Sequence, residues 1–295
     1  MVMSGLHHLS SSFNRIEATQ TSHVFLDLFG TLIFPASPIH IRYNHIARSN
    51  GFSGFDVSAK NFKTAFKKTN QEFPNYGKNC WVPLSNNPEG SVRMSPKDWW
   101  LKVVKGTFED SLNSQEKKSL TTELREIDKI SELIYEDFLT NENEKIYKTY
   151  DDTLDFINYL LREKIGFSIL TNSDPKILDA LPPRLKDLLS SKDRKTSESN
   201  AFTSWDIGFA KPDTRIWDSA IRQLNLSKSN DRLLHVGDDF HEDFLGAKSA
   251  GICSIWLDRK DNDRKISKPI ENKIENYEFQ GNERVRSLNE LIGQL

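Results

Sequence analysis

Short apolar runs that alternate with helical segments dominate the second half of the chain and constrain its fold more than any other feature. Residues 167–170, 233–236 and 252–256 are apolar runs of strand length, and segments with helical periodicity separate them. Such βα alternation predicts a doubly wound parallel sheet, because parallel strands need a crossover connection. Ligands of these sheets bind at the carboxyl ends of the strands. We therefore predict an α/β, Rossmann-like core.

The first half of the chain adds one strand and a long insertion. The apolar run 24–26 ends at Asp27 and is followed by the turn residues Gly30-Thr31, which predicts a buried first strand. Residues 38–149 show helical periodicity without a recognisable strand, and Ser95-Pro96 is typical of a helix start. We predict an all-helical cap at 38–149, a core formed by 23–37 and 150–295, and a disordered arm or weak mitochondrial presequence at 1–22.

Composition narrows the class of protein. Lys and Arg number 40 against 42 for Asp and Glu, so the sequence predicts no basic surface and disfavours a nucleic-acid partner. Cys80 and Cys253 fit neither a disulfide framework nor a cysteine zinc site, which favours a reducing compartment. No apolar run approaches the roughly 20 residues of a membrane-spanning helix. We predict a cytoplasmic protein without a membrane partner, with the mitochondrion as the alternative location.

Four polar motifs lie at or near the ends of predicted strands. In chain order they are Asp27-Leu28-Phe29-Gly30-Thr31, Thr171-Asn172-Ser173, Lys211-Pro212, and Gly237-Asp238-Asp239 with Asp243. A carboxylate at a strand tip can attack phosphorus and form an aspartyl-phosphate, which divides one difficult step into two easier ones. An anionic nucleophile needs positive charge to approach a phosphate, and Mg²⁺ held by hard oxygen ligands supplies it.

The order of these motifs resembles that of the haloacid dehalogenase superfamily. The resemblance implies that Asp27 is the nucleophile and that Asp27 and Asp238 are carboxylate ligands of Mg²⁺. The backbone carbonyl of Phe29 would complete the protein ligands. Asp243 would bind the ion through water or orient Lys211.

The same resemblance assigns the substrate contacts. Lys211 would neutralise the nucleophile and the phosphate, Thr171 would donate a hydrogen bond to a phosphoryl oxygen, and the adjacent Asn172 would help to bind the substrate. The implied substrate is a small phosphorylated molecule. Residues 73–77 and 95–100 of the insertion carry aromatic strings that resemble the cap of one branch of the superfamily, which has fungal members.

One position departs from the phosphatase pattern. Phosphatases of the superfamily place a second Asp two residues after the nucleophile to protonate the leaving alkoxide, and this chain has Phe29 there. Loss of a positioned acid costs about 10² to 10⁴ in rate. Three functions stay open: a phosphatase that acts on an easy leaving group or takes its acid from the cap or His241, a dehalogenase-like hydrolase, and a catalytically degenerate binding or regulatory protein. The pair Gly237-Asp238 argues against the dehalogenase, because that branch has a site without metal.

Other polar and aromatic residues have plainer interpretations. Asp239 is predicted to be an acid at a helix N-terminus, where the helix dipole favours negative charge. His235 lies inside an apolar run and is predicted to be a core histidine, and Trp99 and Trp100 are predicted to belong to the core of the cap.

Overall fold

The computed structural model describes residues 21–84, 87–112, 120–139, 145–190, 201–259 and 274–295. Its strands are β1 (His23–Leu26), β2 (Ile33–Pro35), β3 (Trp81–Leu84), β4 (Asn87–Arg93), β5 (Tyr147–Thr149), β6 (Gly166–Thr171), β7 (Ala201–Thr203), β8 (Leu233–Gly237), β9 (Cys253–Leu257) and β10 (Arg284–Val285). Its helices are α1 (Ile39–Ser49), α2 (Ala59–Glu72), α3 (Pro96–Glu109), α4 (Leu120–Phe138), α5 (Thr153–Arg162), α6 (Pro183–Ser190), α7 (Ser204–Ile207), α8 (Arg215–Gln223) and α9 (Gly246–Ser249).

Six strands form one parallel sheet in the order β10-β9-β8-β1-β6-β7, which confirms the predicted α/β fold. β1 lies between β6 and β8, and Leu26 is in register with Ile169 on one side and Val236 on the other. The segments that follow these three residues therefore leave the sheet at the same edge. That edge carries three of the four polar motifs.

Both faces of the sheet are buried, which explains why the strands are nearly continuous apolar runs. Val24 and Leu26 of β1 belong to a cluster that includes Phe156 and Leu160 of α5. Phe25, which points to the opposite face, packs in a second cluster with residues of α8 such as Trp217. β1 is thus fixed by packing on both faces, and this fixes the position of Asp27, the residue that follows it.

The insertion (residues 38–149) is not all-helical, so that prediction was wrong. α1 to α4 account for its helices, but β3 and β4 form an antiparallel hairpin between α2 and α3. Sequence periodicity missed the hairpin because its strands contain Pro83, Pro88 and Gly90, residues that a two-stranded ribbon tolerates and a central strand does not. Val82 packs against the cluster formed by Met94, Trp99 and Val103, and this contact stabilises the hairpin.

The ends of the insertion lie side by side. β2 and β5 pair in antiparallel orientation, with Ile33 opposite Thr149 and Pro35 opposite Tyr147. The predicted helix start at Ser95 is confirmed, since its hydroxyl accepts a hydrogen bond from the backbone of Asp98. Most of the predicted N-terminal arm, residues 1–20, lies outside the described residues. Within the described part of the chain, no helix is both long and apolar enough to cross a bilayer.

Candidate active site

Three buried carboxylates meet at the carboxyl edge of the sheet. Asp27 follows β1, Asp238 follows β8, and Asp243 lies in the π-helical turn Phe240–Leu245. One carboxylate oxygen of each lies within 4.8 Å of the others. All three residues are almost fully buried. Residues that the sequence separates by up to 216 positions therefore form one cluster, because the sheet register brings Asp27 and Asp238 to one edge and the turn after β8 brings Asp243 to them.

Lys211 joins two of these carboxylates. Its Nζ lies 2.6 Å from Oδ1 of Asp27 and 2.5 Å from Oδ1 of Asp243. Burial opposes the charge of Lys211, but Asp243 and Asp27 together hold its pKa above the ordinary value. Burial raises the pKa of Asp27 to about 6, although Lys211 offsets part of the effect. Lys211 thus remains a cation, and Asp27 is ionised above about pH 6.

The carboxylate of Asp243 is committed to protein contacts. Besides Lys211, Oδ1 lies 3.0 Å from Nε2 of His235, and Oδ2 accepts the backbone N–H of Asp239 at 2.9 Å. Although burial opposes its charge, Lys211 and His235 hold the pKa of Asp243 below its ordinary value. These contacts favour the predicted role of Asp243 in orienting Lys211, and its predicted binding of the ion through water stays a prediction.

His235 is a buried residue that contacts Asp243. Trp217 Nε1 lies 3.3 Å from His235 Nδ1, and an indole N–H can only donate, so the proton of the imidazole lies on Nε2 and is donated to Asp243. Burial lowers the pKa of His235, which keeps the ring neutral. His235 is a buried core histidine, as predicted, but sequence reasoning missed its bond to Asp243. The available signal was a histidine inside an apolar strand two residues before Gly237.

Asn172 holds the backbone of Lys211. Its Oδ1 accepts the N–H of Lys211 at 2.7 Å, and its Nδ2 donates to the carbonyl of Lys211 at 2.9 Å. Nδ2 also donates to Oε2 of Glu242 at 2.9 Å. These contacts indicate that Asn172 positions Lys211, whereas its contact with a substrate stays a prediction. Burial, followed by the charge of Asp239, raises the pKa of Glu242 to about 7, and no sequence pattern had singled this residue out.

The remaining predicted residues surround the cluster. Thr171 ends β6 and is buried, next to the edge at which Asp27 leaves β1. Asp239 caps the turn that follows it by accepting the backbone N–H groups of His241 and Glu242, in line with its predicted place at a helix N-terminus. His241 itself is half-buried. Its possible role as the acid stays a prediction.

Phe29 stands where a general acid was expected. Its ring packs against Tyr147 with ring centres 5.3 Å apart. Both rings line a cavity of about 310 Å³ between the insertion and the core. The side chain of Phe29 is therefore part of the apolar wall of this cavity, and it can supply no proton. The metal contact predicted for the Phe29 backbone carbonyl stays a prediction.

Two aromatic residues of the insertion reach the strand ends. The hydroxyl of Tyr76 donates to the carbonyl of Asn172 at 2.8 Å, and Nε1 of Trp100 donates to Oδ2 of Asp174 at 2.8 Å. Tyr76 has a φ of 56°, a left-handed conformation that is costly for an aromatic residue. Trp99 is fully buried, as the prediction of a cap core residue requires, but Trp100 also lines the cavity.

The carboxylate cluster fits a hard divalent cation. Mg²⁺ prefers oxygen ligands and is usually bound by one or two carboxylates. Asp27, Asp238 and Asp243 bring three carboxylates together, and Lys211 carries one positive charge against them. Asp238 is held in place by the hydroxyl of Thr31, 3.3 Å from its Oδ1. The donor set therefore suits Mg²⁺, and the assignment of Asp27 and Asp238 as its carboxylate ligands stays a prediction.

Gly237 makes room for this arrangement, which leads to a test. A Cβ at this position would overlap the carboxylate of Asp243. We expect Gly237→Ala to displace Asp243 and to lower the free energy of unfolding by about 1–3 kcal/mol, as measured by urea titration. Gly54→Ala is the control, because a Cβ there meets no atom within 4 Å. Equal stability of the two variants would contradict the close contact.

Comparisons with known proteins place these observations in a family. A family model for haloacid dehalogenase-like hydrolases matches residues 21–251. Haloacid dehalogenase-like hydrolase domain-containing protein 3 of Bos taurus is 24% identical over 233 residues, which are 78% of this chain and 79% of that protein. An uncharacterized hydrolase of Schizosaccharomyces pombe is 24% identical over 81% of this chain and 91% of its own length.

Solved structures show the same fold. A 2-haloacid dehalogenase from Pseudomonas syringae matches with a TM-score of 0.53 and 16% identity, covering 92% of this chain and 96% of that one. The HAD-hydrolase YfnB from Bacillus subtilis, solved with magnesium bound, matches with a TM-score of 0.53 and 16% identity over 92% of this chain and 97% of its own. At these identities the likeness concerns the fold.

Proposed function

Because the chain belongs to the haloacid dehalogenase-like hydrolase family, we propose that it is a Mg²⁺-dependent phosphohydrolase that acts on a small phosphorylated metabolite through an aspartyl-phosphate on Asp27. The observation that carries the proposal is the contact between Lys211 and Asp27, at 2.6 Å, inside a cluster of three buried carboxylates. A lysine held in this way favours the ionised nucleophile and can attract an anionic phosphate.

Each residue has a defined task in this proposal. Asp27 attacks phosphorus, Lys211 stabilises the charge of the phosphoryl group, and Thr171 donates a hydrogen bond to one of its oxygens. Asp27, Asp238 and the carbonyl of Phe29 would hold Mg²⁺, which when bound would supply positive charge for the approach of two anions. Asp243 orients Lys211, and His235 in turn orients Asp243.

The apolar Phe29 restricts the leaving group. An alkoxide must be protonated as it departs, but a carboxylate released from an acyl phosphate needs no proton. Phe29 cannot supply one, and its ring is packed against Tyr147. We therefore propose an easy leaving group, with an acyl phosphate as the simplest case. The second candidate function is a degenerate protein that binds phosphate without turnover. The absence of an acid at Phe29 favours it too, and the assay below distinguishes it from the phosphohydrolase.

The test compares two substrates and one gain of function. We expect wild-type protein with Mg²⁺ to hydrolyse acetyl phosphate and to leave propyl phosphate nearly untouched, as measured by phosphate release. Phe29→Asp is expected to raise hydrolysis of propyl phosphate by about 10²-fold, because it places an acid two residues after the nucleophile. Phe29→Asn is the matched control, because asparagine is polar and similar in size to aspartate but has no acidic proton.

The outcomes separate the candidates. Equal rates of the wild type on the two substrates would show that an acid comes from elsewhere, such as His241 or the insertion. No hydrolysis of either substrate, together with stabilisation of the protein by beryllium fluoride and Mg²⁺, would favour the binding protein. Unchanged rates in Phe29→Asp would show that the missing acid does not limit turnover.

A further inference from the structure

A cavity of about 310 Å³ separates the insertion from the carboxyl edge of the sheet. Its walls come from α1, α2, α3 and α4 of the insertion and from the loops that follow β1 and β6. Residues that define its character are Phe29, Phe66, Trp100, Val104, Ile134 and Tyr147. The volume lies at the lower end of the range that is typical of sites for small molecules.

The lining is mostly hydrocarbon and aromatic. Among its polar members, Asp174 already accepts hydrogen bonds from Trp100 Nε1 and from the backbone N–H of Lys176, each at 2.8 Å. Ser173 is buried, and within the described residues its hydroxyl has no hydrogen-bond partner. A sugar or nucleotide would bring many hydroxyl groups that need partners on burial. The cavity instead suits an apolar group with one polar atom.

Two residues that line the cavity follow closely after predicted site residues in the sequence. Phe29 lies two residues after Asp27, and Ser173 lies two residues after Thr171, in the segments that follow the adjacent parallel strands β1 and β6. A phosphoryl group held between Asp27 and Thr171 would therefore carry its organic part past Phe29 and Ser173. Ser173 lines the cavity, and its hydroxyl has no hydrogen-bond partner among the described residues, so it can donate to a polar atom of the bound group, such as the carbonyl oxygen of an acyl phosphate.

We propose that this cavity binds the hydrophobic acyl group of the substrate, so that the substrate class is the acyl phosphates of medium-chain or aromatic carboxylic acids. The inference rests on the proposed phosphohydrolase function. In the first step an oxygen of Asp27 forms a bond to phosphorus, and the bond from phosphorus to the acyl oxygen breaks. The carboxylate leaves with the electron pair and without a proton. Water then attacks phosphorus, Asp27 is released, and the protons of the water stay with the phosphate.

The expected signature is a dependence on chain length. Each methylene group that moves from water into an apolar site raises kcat/KM about fourfold. Hexanoyl phosphate should therefore be hydrolysed with a kcat/KM about 10²-fold above that of acetyl phosphate, and benzoyl phosphate should behave similarly. Wild-type protein with Mg²⁺ is sufficient for this comparison, and phosphate release is the readout.

Two neighbouring residues of α3 provide matched variants. Val104 lines the cavity, whereas Val103 is equally buried but packs in the cluster of Met94 and Trp99. Val104→Phe should fill the cavity and reduce the preference for hexanoyl over acetyl phosphate by about tenfold or more. Val103→Ala should lower stability and leave this preference unchanged, which separates loss of stability from loss of the binding site.

Failure of this inference is distinguishable from failure of the proposed function. Equal kcat/KM for acetyl and hexanoyl phosphate would overturn the inference and leave the phosphohydrolase intact. If no acyl phosphate is hydrolysed, the proposed function fails. The role of the cavity is then tested by the binding of phosphonates instead of by hydrolysis. Calorimetry with hexylphosphonate and methylphosphonate, which differ by one methylene more than the acyl pair, should then show about 10³-fold tighter binding of the hexyl compound in the presence of Mg²⁺. Equal affinities would overturn the inference.

Discussion

An Asp27→Asn variant is expected to hydrolyse acetyl phosphate at least about 10⁴-fold more slowly than the wild type, because an amide oxygen cannot form the phosphorylated intermediate. The substitution keeps the size of the side chain and removes a buried charge. Burial raises the pKa of Asp27 to about 6, so ionisation of Asp27 is less favourable in the folded state than in the unfolded state. We therefore expect the variant to remain folded, as measured by thermal denaturation.

The same variant should lose its response to beryllium fluoride. This anion mimics a phosphoryl group on a carboxylate, so with Mg²⁺ it should raise the Tm of the wild type and leave that of Asp27→Asn unchanged. Asp239→Asn is the matched control, since an asparagine caps a helix as well as an aspartate does. Hydrolysis by Asp27→Asn within tenfold of the wild type would exclude Asp27 as the nucleophile.

Replacing Lys211 by methionine is expected to lower the free energy of unfolding by about 3–5 kcal/mol at neutral pH. Lys211 is buried between Asp27 and Asp243, and its removal leaves both carboxylates without the cation that joins them. Methionine retains most of the apolar stem, so little packing is lost. Urea titration measures the change. Lys60→Met, at an exposed position of α2, is the control and should change stability little.

The pH dependence of this loss has a definite sign. Without Lys211 the pKa values of Asp27 and Asp243 rise, so the folded state binds more protons than the unfolded state and is stabilised as the pH falls. In the wild type, Lys211 and His235 oppose the effect of burial and keep the pKa of Asp243 low, and the stability from that ion pair is lost only in acid. The deficit of Lys211→Met should therefore be larger at about pH 7.5 than at about pH 5.5. A deficit independent of pH would indicate lost packing.

The parts of the structure that follow from local rules were predictable from sequence. Apolar runs of strand length gave β1, β6 and β8, and parallel pairing then required Asp27 and Asp238 to lie at one edge. The bond of Asn172 to the backbone of Lys211 was not predictable, because it depends on how a loop after β7 returns to the sheet. The same holds for Glu242, whose burial depends on packing against Asn172.

The missed features share a physical cause. A two-stranded ribbon such as β3 and β4 needs no apolar period of its own, since its stability comes from contact with α2 and α3. His235 could be placed in a strand, but its partner Asp243 depends on the π-helical turn that brings position 243 back over β8. The residues can therefore indicate that a partner is needed, as the histidine inside an apolar strand does, but they do not identify it.

The central place of β1 in the sheet has a consequence for biosynthesis. The backbone N–H of Ser22, next to β1, donates to the carbonyl of Arg232, 210 positions later, and the imidazole of His23 bonds with the hydroxyl of Ser168, 145 positions later. A ribosome that adds 5–20 residues per second needs about 10 to 40 s to reach Arg232. Until then β1 is an apolar segment with an open hydrogen-bonding edge, a state that is prone to aggregation. Truncated chains that end before β8 should accordingly depend on chaperones, and the cluster around Asp27 forms only when synthesis is nearly complete.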